Sequence, residues 1–113
     1  MIYIKRVYDE PSKADGYRIL VDRLWPRGIT KERAQLDAWL KAVAPSPELR
    51  TWFNHEAEKF EEFGHRYRAE FEHNPAVEEL RKIIQEHPAT TLVYAAKSPQ
   101  VNHALVLQQL LQH

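Results

Sequence analysis

Three short runs rich in β-branched and aromatic residues, and the distance between them, constrain this chain more than any other feature. Ile2 to Tyr8 alternates apolar with polar, Tyr17 to Leu24 contains the continuous Ile19-Leu20-Val21, and Thr90 to Ala96 reads TTLVYAA between Pro88 and Ser98-Pro99. The second and third runs stand 65 residues apart, and the intervening chain has helical patterning. Strands separated by helices favour a largely parallel sheet with helices packed on its faces, entered by a right-handed crossover. The expected fold is therefore α/β, with about three strands in the order β-β-α-α-α-α-β-α. The link from Asp9 to Gly16 is long for a tight hairpin and short for a crossover of about a dozen residues, so it leaves the direction of the first strand open.

The helices announce themselves by period and punctuation. Leu36, Trp39, Leu40 and Val43 recur at i, i+3, i+4 and i+7, which predicts one apolar helix face over Lys31 to Val43, stopped at Ala44-Pro45. Ser46 then offers an N-cap and Pro47 a first helical position, followed by Leu49, Trp52 and Phe53. After Asn54-His55, Glu56 to His73 carries Phe60, Phe63, Tyr67 and Phe71 on one stripe. Asn74-Pro75 repeats the cap-plus-proline signal for a helix through Glu86, and a last helix runs from Val101 or Asn102 to Leu111. No repeat, low-complexity tract or Gly/Ser linker divides the chain, so residues 1–113 read as one domain.

With 16 basic and 16 acidic side chains the chain is formally neutral. Neutrality makes a nucleic-acid surface the weaker expectation, because phosphate backbones are bound by basic excess. It conceals an asymmetry, since residues 1–50 have ten basic against seven acidic side chains and residues 51–113 have six against nine. Cysteine is absent, which excludes a disulfide framework, a thiolate metal site and a cysteine nucleophile. No stretch reaches the eighteen or so apolar residues of a membrane span, and the amino terminus lacks a signal-peptide pattern, so a cytoplasmic protein without a membrane partner is expected. The composition specifies no oligomeric state.

In a parallel sheet the segments leaving the carboxyl ends of the strands emerge along one edge, where open α/β proteins place their ligands. Here those segments are Arg23-Leu24-Trp25-Pro26-Arg27-Gly28 and Lys97 to His103. Arg23 and Arg27 bring planar, permanently charged donors suited to phosphate or carboxylate, Lys97 adds a point charge, and the start of the last helix adds free N–H groups flanked by Asn102 and His103. Together with Trp25 these residues describe a pocket for an anionic small molecule. Each also has a structural reading. Pro26 and Gly28 shape a tight turn, Trp25 covers the core, and Arg23 pairs with Asp22 or Asp37. Lys97 is a solvated lysine, Asn102 an N-cap, and His103 a packing histidine.

His103 and His55 are the proton-transfer candidates if the pocket is catalytic, since imidazole titrates near neutral pH; for His55 the reading as a cap of the next helix is the favoured one. His65, His73, His87 and His113 show no i, i+4 ligand spacing, so no metal is expected, and the absence of Walker, GxGxxG and GxSxG motifs leaves no cofactor expected. The aromatic stripe from Phe60 to Phe71 reads as core. It follows a helical period among glutamates that would repel a phosphate backbone. A non-catalytic module that binds a protein through exposed tryptophans is the alternative from another class.

RVYD near the start, GYRILVDRLWPRG at Gly16 to Gly28, LDAWLKAVAPSPELRTWF at Leu36 to Phe53 and YAAKSPQVNHALVL at Tyr94 to Leu107 resemble the domain-of-unknown-function family DUF488, in its YeaO-like branch. The resemblance spans nearly the whole chain and implies a compact α/β domain of bacterial type. In the broader family the equivalent of Tyr94-Ala95-Ala96-Lys97 resembles a Cys-Ala-Glu-Lys strand end, and that of Asn102-His103-Ala104 a Cys-His-Arg helix start. This chain keeps the histidine but has Asn102 and Ala104 where the thiol and the extra arginine would stand.

Overall fold

A computed structural model of the chain describes residues 1–112; His113 lies outside the described residues. Four strands form one sheet: β1 (Ile2–Arg6), β2 (Tyr17–Leu20), β3 (Ala38–Trp39) and β4 (Thr90–Tyr94), in the spatial order β1-β4-β2-β3 with every pair parallel. The fold is α/β as expected, with a fourth strand. The last strand in sequence is central, pairing Ile2↔Thr90 through Arg6↔Tyr94 on one side and Tyr17↔Thr90 through Leu20↔Val93 on the other. All five residues of β4 are buried, which is why its sequence is a continuous apolar and threonine run rather than an alternation. The open question of direction resolves as parallel. Ten residues suffice to join β1 to β2 because they pass over a single intervening strand and are tied down by one 3-10 turn, Lys13–Asp15.

The expected helix over Lys31 to Val43 is not formed. Only α1 (Lys31–Ala34) is helical, then Gln35 turns left-handed (φ 48°) and the chain becomes β3 and a 3-10 turn over Lys41–Val43. The free edge of β2 supplies the reason. Arg18 N–H donates to Asp37 Oδ2 (2.8 Å), Asp37 N–H to Arg18 O (2.8 Å) and Leu40 N–H to Leu20 O (3.0 Å), so segment 37–40 satisfies backbone groups that a helix would leave orphaned. The Arg18 guanidinium then takes the carbonyls of Ala34 and Gln35 at the end of α1. The spacing that mimicked a helix face is divided between two clusters: Leu40 and Val43 join the main core, while Leu36 and Trp39 pack on the other side of the sheet.

The remaining helices fall where their caps placed them. Ser46 Oγ caps α2 (Pro47–Phe53) by accepting Leu49 N–H, and Asn74 Oδ1 caps α4 (Pro75–Glu86) by accepting Ala76 N–H. The expected helix from Glu56 to His73 begins as a 3-10 turn, Ala57–Lys59, and is regular as α3 (Phe60–Phe71). The last helix, α5, spans His103–Leu111. These helices and one sheet face enclose the main core, where Phe53 and Phe63 stack at 4.2 Å and Phe63, Tyr67 and Phe71 are buried along the expected stripe. No helix among the described residues is long and apolar enough to cross a membrane.

The opposite sheet face is small, with Val7, Leu20, Ala34 and Val93 at its centre, and it holds a buried charge cluster that sequence patterning did not single out. Asp15, in the β1–β2 link, accepts from Lys5 Nζ on β1 (2.9 Å) and from Arg18 Nη1 on β2 (2.6 Å), while its backbone carbonyl accepts from Thr91 Oγ1 on β4 (2.7 Å). One residue thus ties three strands. Burial alone would raise its pKa, but the Lys5 ammonium, the Ser12 N–H, Arg18 and the Ser12 hydroxyl outweigh that penalty and hold it at about 2, against 3.8 for a free aspartate.

Candidate functional site

The carboxyl ends of β2 and β4 open into a cavity of about 410 Å³, within the range of small-molecule sites. The geometry follows from the parallel sheet: residues 22–27 leave β2 and residues 95–103 leave β4 on the same edge, and Arg50 and Phe53 of α2 line the same cavity. Of the residues proposed from the sequence, Arg23, Trp25, Arg27, Asn102, His103 and His55 all line this cavity. Lys97 does not. It lies exposed in an adjoining cavity that shares the wall formed by His55, Ala95 and Ala96.

Arg23 makes neither of the carboxylate pairs weighed for it. Its Nη2 donates to Ala44 O (3.3 Å) and Pro45 O (3.2 Å), and its buried Nε–H has no partner. Asp37 is occupied by the backbone of Arg18, and Asp22 Oδ2 accepts Ala95 N–H (3.0 Å), tying the end of β4 to the end of β2. Trp25 packs against the smaller core cluster and also lines the cavity. Its indole N–H is held by Ile29 O (2.6 Å) and its ring lies edge-on to Trp39. Gly28 has φ 74°, the left-handed turn conformation expected of it, and Pro26 is buried. Arg27 is exposed; its carbonyl takes the Tyr8 hydroxyl (3.0 Å) and its guanidinium has no partner among the described residues.

Asn102 is the N-cap of α5. Its Oδ1 accepts Leu105 N–H (2.8 Å) and its amide donates to Ser98 O (2.9 Å), so a residue almost fully buried has both ends of its side chain engaged. His103 Nε2 lies 3.0 Å from Val21 O, and because a carbonyl only accepts, that nitrogen carries the proton. The same nitrogen stands 3.1 Å from Asp22 Oδ1, though without hydrogen-bond geometry, since Oδ1 has no bonded partner. Beside His103 the Tyr67 ring is edge-on; burial first, then the charges of Glu70 and Asp22, push its phenol pKa well up, so it stays a neutral donor to Val43 O.

Sequence reasoning missed Arg50, on the last turn of α2, whose guanidinium also has no partner among the described residues. It also missed the apolar wall of Phe53 and Phe63 and the role of Asp22. A basic residue one turn before the Asn54-His55 break was the available signal for Arg50, but only the path of α2 over the strand ends brings it in. The cavity thus gathers Arg23, Arg27 and Arg50 against one carboxylate, Asp22, which is already engaged. No three His, Cys, Asp or Glu side chains among the described residues cluster as a metal site would require.

Fold and site together define a small parallel α/β domain with an arginine-lined cavity at its strand ends. A family model described as the inactive DUF488-N3 subclade, DUF488-N3i, matches residues 1–113, and the chain belongs to this family. It is 49% identical over 107 residues to the uncharacterized protein YeaO of Escherichia coli (strain K12), covering 94% of this chain and 92% of that protein. It is 44% identical over 113 residues to the uncharacterized proteins Rv3073c of Mycobacterium tuberculosis (strain H37Rv) and Mb3100c of Mycobacterium bovis, covering 97% of this chain and 92% of each. No solved structure matches the chain.

Proposed function

We propose that this protein binds a small anionic molecule, a phosphate ester, nucleotide or carboxylate, in the cavity at the ends of β2 and β4, and binds it without covalent chemistry. The observation that carries this reading is the local charge: three arginines line one cavity, and the one carboxylate lining it among the described residues, Asp22, accepts Ala95 N–H. The guanidinium groups of two of them, Arg27 and Arg50, have no internal partner among the described residues, while Arg23 lines the cavity with its Nη2 held by the carbonyls of Ala44 and Pro45. Guanidinium is suited to such anions because its planar fork matches their oxygens. Binding rather than turnover is favoured at position 102, where an asparagine already engaged in capping α5 offers no nucleophile, in keeping with the subclade's description. Trp25 walling a cavity, rather than standing on a flat apolar face, favours a small ligand over a protein partner.

The test is a thermal-unfolding screen of inorganic phosphate, nucleotides and small carboxylates against wild type and Arg27→Ala. A ligand at about 100 times its Kd stabilises the native state by roughly 2.7 kcal/mol. The wild-type midpoint should rise and the variant should lose most of that rise, with its own ligand-free midpoint unchanged because Arg27 is exposed. No rise across the panel, or an equal rise in the variant, overturns the proposal.

A further inference from the structure

The arginine cavity does not end at its own wall. A second cavity, of about 580 Å³, adjoins it across His55, Ala95 and Ala96, and its one charged lining residue is Lys97, beside Ser98. Lys97 is exposed and its ammonium has no partner among the described residues. Two cationic compartments of different donor type therefore lie side by side along one sheet edge, with no carboxylate on the wall between them.

The shared wall is built from an unusual turn. Glu56 N–H donates to Phe53 O (3.0 Å), and the two residues inside that bond, Asn54 and His55, both have positive φ, 48° and 56°. That is the pattern of a type I′ turn, whose two central positions are dominated by Gly, Asn and Asp. Asn54 suits its position and closes α2 by donating to Arg50 O. Histidine at the next position is strained where glycine would be relaxed, and with Ala95 and Ala96 it lines both cavities.

We infer that the ligand carries two anionic groups, one held by Arg23, Arg27 and Arg50 and the other by Lys97, with its uncharged middle passing His55 and the methyl groups of Ala95 and Ala96. This rests on the anion-binding reading above and narrows it to a bis-anionic class, such as a bisphosphate or a phosphorylated carboxylic acid. Both charges are met by cationic side chains, and the wall between them, His55 with Ala95 and Ala96, offers no carboxylate.

Calorimetric titration with alkane-α,ω-diphosphonates of increasing chain length, beside alkyl monophosphonates of the same lengths, separates the two claims. The diphosphonates should show an affinity maximum at one length, about fivefold above the matched monophosphonate, as one solvent-exposed ion pair allows. Lys97→Ala should abolish that advantage and leave monophosphonate binding unchanged, whereas Arg27→Ala should weaken both series. Monophosphonate binding with no diphosphonate advantage, or an advantage that survives Lys97→Ala, overturns the bis-anion inference alone. Failure of both series to bind overturns both.

Discussion

Replacing Asp15 by asparagine removes one charge from a residue that joins β1, β2 and β4 through Lys5, Arg18 and Thr91. The carboxylate accepts from Lys5 Nζ (2.9 Å), Arg18 Nη1 (2.6 Å), Ser12 N (3.0 Å) and Ser12 Oγ (3.1 Å), and the Arg18 side chain is only 4% exposed. A pKa held at about 2 rather than 3.8 in the folded state means that ionised Asp15 favours folding. Because the folded value is depressed, this contribution is full above the unfolded pKa and is lost as pH falls through the folded one: about 2 kcal/mol at pH 7 and about 1 kcal/mol at pH 3. At neutral pH the variant also strands a buried guanidinium without its counter-charge, so the total loss should reach about 3–5 kcal/mol. Urea unfolding of wild type and Asp15→Asn in parallel from about pH 7 to pH 3 cancels the titration of every other carboxylate. The difference should be flat above about pH 5 and shrink by about 1 kcal/mol by pH 3. A difference that stays constant down to pH 3, or a variant as stable as wild type at pH 7, would refute the reasoning.

Two glycines with similar left-handed φ, 66° at Gly16 and 74° at Gly28, should respond very differently to alanine. A Cβ at Gly16 would lie 2.2 Å from Ala89 O, the acceptor of Tyr17 N–H, whereas one at Gly28 meets nothing within 4 Å. Denaturant titration should give a loss of at least about 3 kcal/mol for Gly16→Ala and about 1 kcal/mol for Gly28→Ala. His55→Gly should be more stable than wild type by up to about 1 kcal/mol, because it relieves a positive φ; a lower unfolding midpoint in the same titration would show that the turn is not strained.

Much of this architecture is legible in the chain because local signals and tertiary demands agree. The Ser46-Pro47 and Asn74-Pro75 punctuation starts helices where capping chemistry says it should, and Thr90 to Tyr94 is apolar throughout because both of its faces are covered. The region from Gln35 to Val43 misleads because Leu36, Trp39, Leu40 and Val43 satisfy a helical period while the unfilled edge of β2 decides the outcome, and a sheet edge is a property of distant residues. The Asp15–Arg18 pair had a visible trace, an arginine placed before Ile19-Leu20-Val21, but its partner is chosen by the path of a loop. At the site, Arg23, Arg27, Asn102 and His103 follow from the rule that parallel strands deliver their exits to one edge. Arg50, Phe53 and Phe63 arrive on helices whose direction across that edge is not written in their own sequence.

The position of β4 governs how the molecule can come into being. Among the described residues β1 has no strand neighbour other than β4, and the register sets Ile2 against Thr90, 88 positions later. Synthesis at roughly 5–20 residues per second leaves the first strand without a partner for several seconds, with only the two-residue β2–β3 ladder available to begin a sheet. The parallel sheet can be completed only once Thr90–Tyr94 has been made. Chains interrupted before Thr90 would leave β1 and the inner edge of β2 without the strand that joins them.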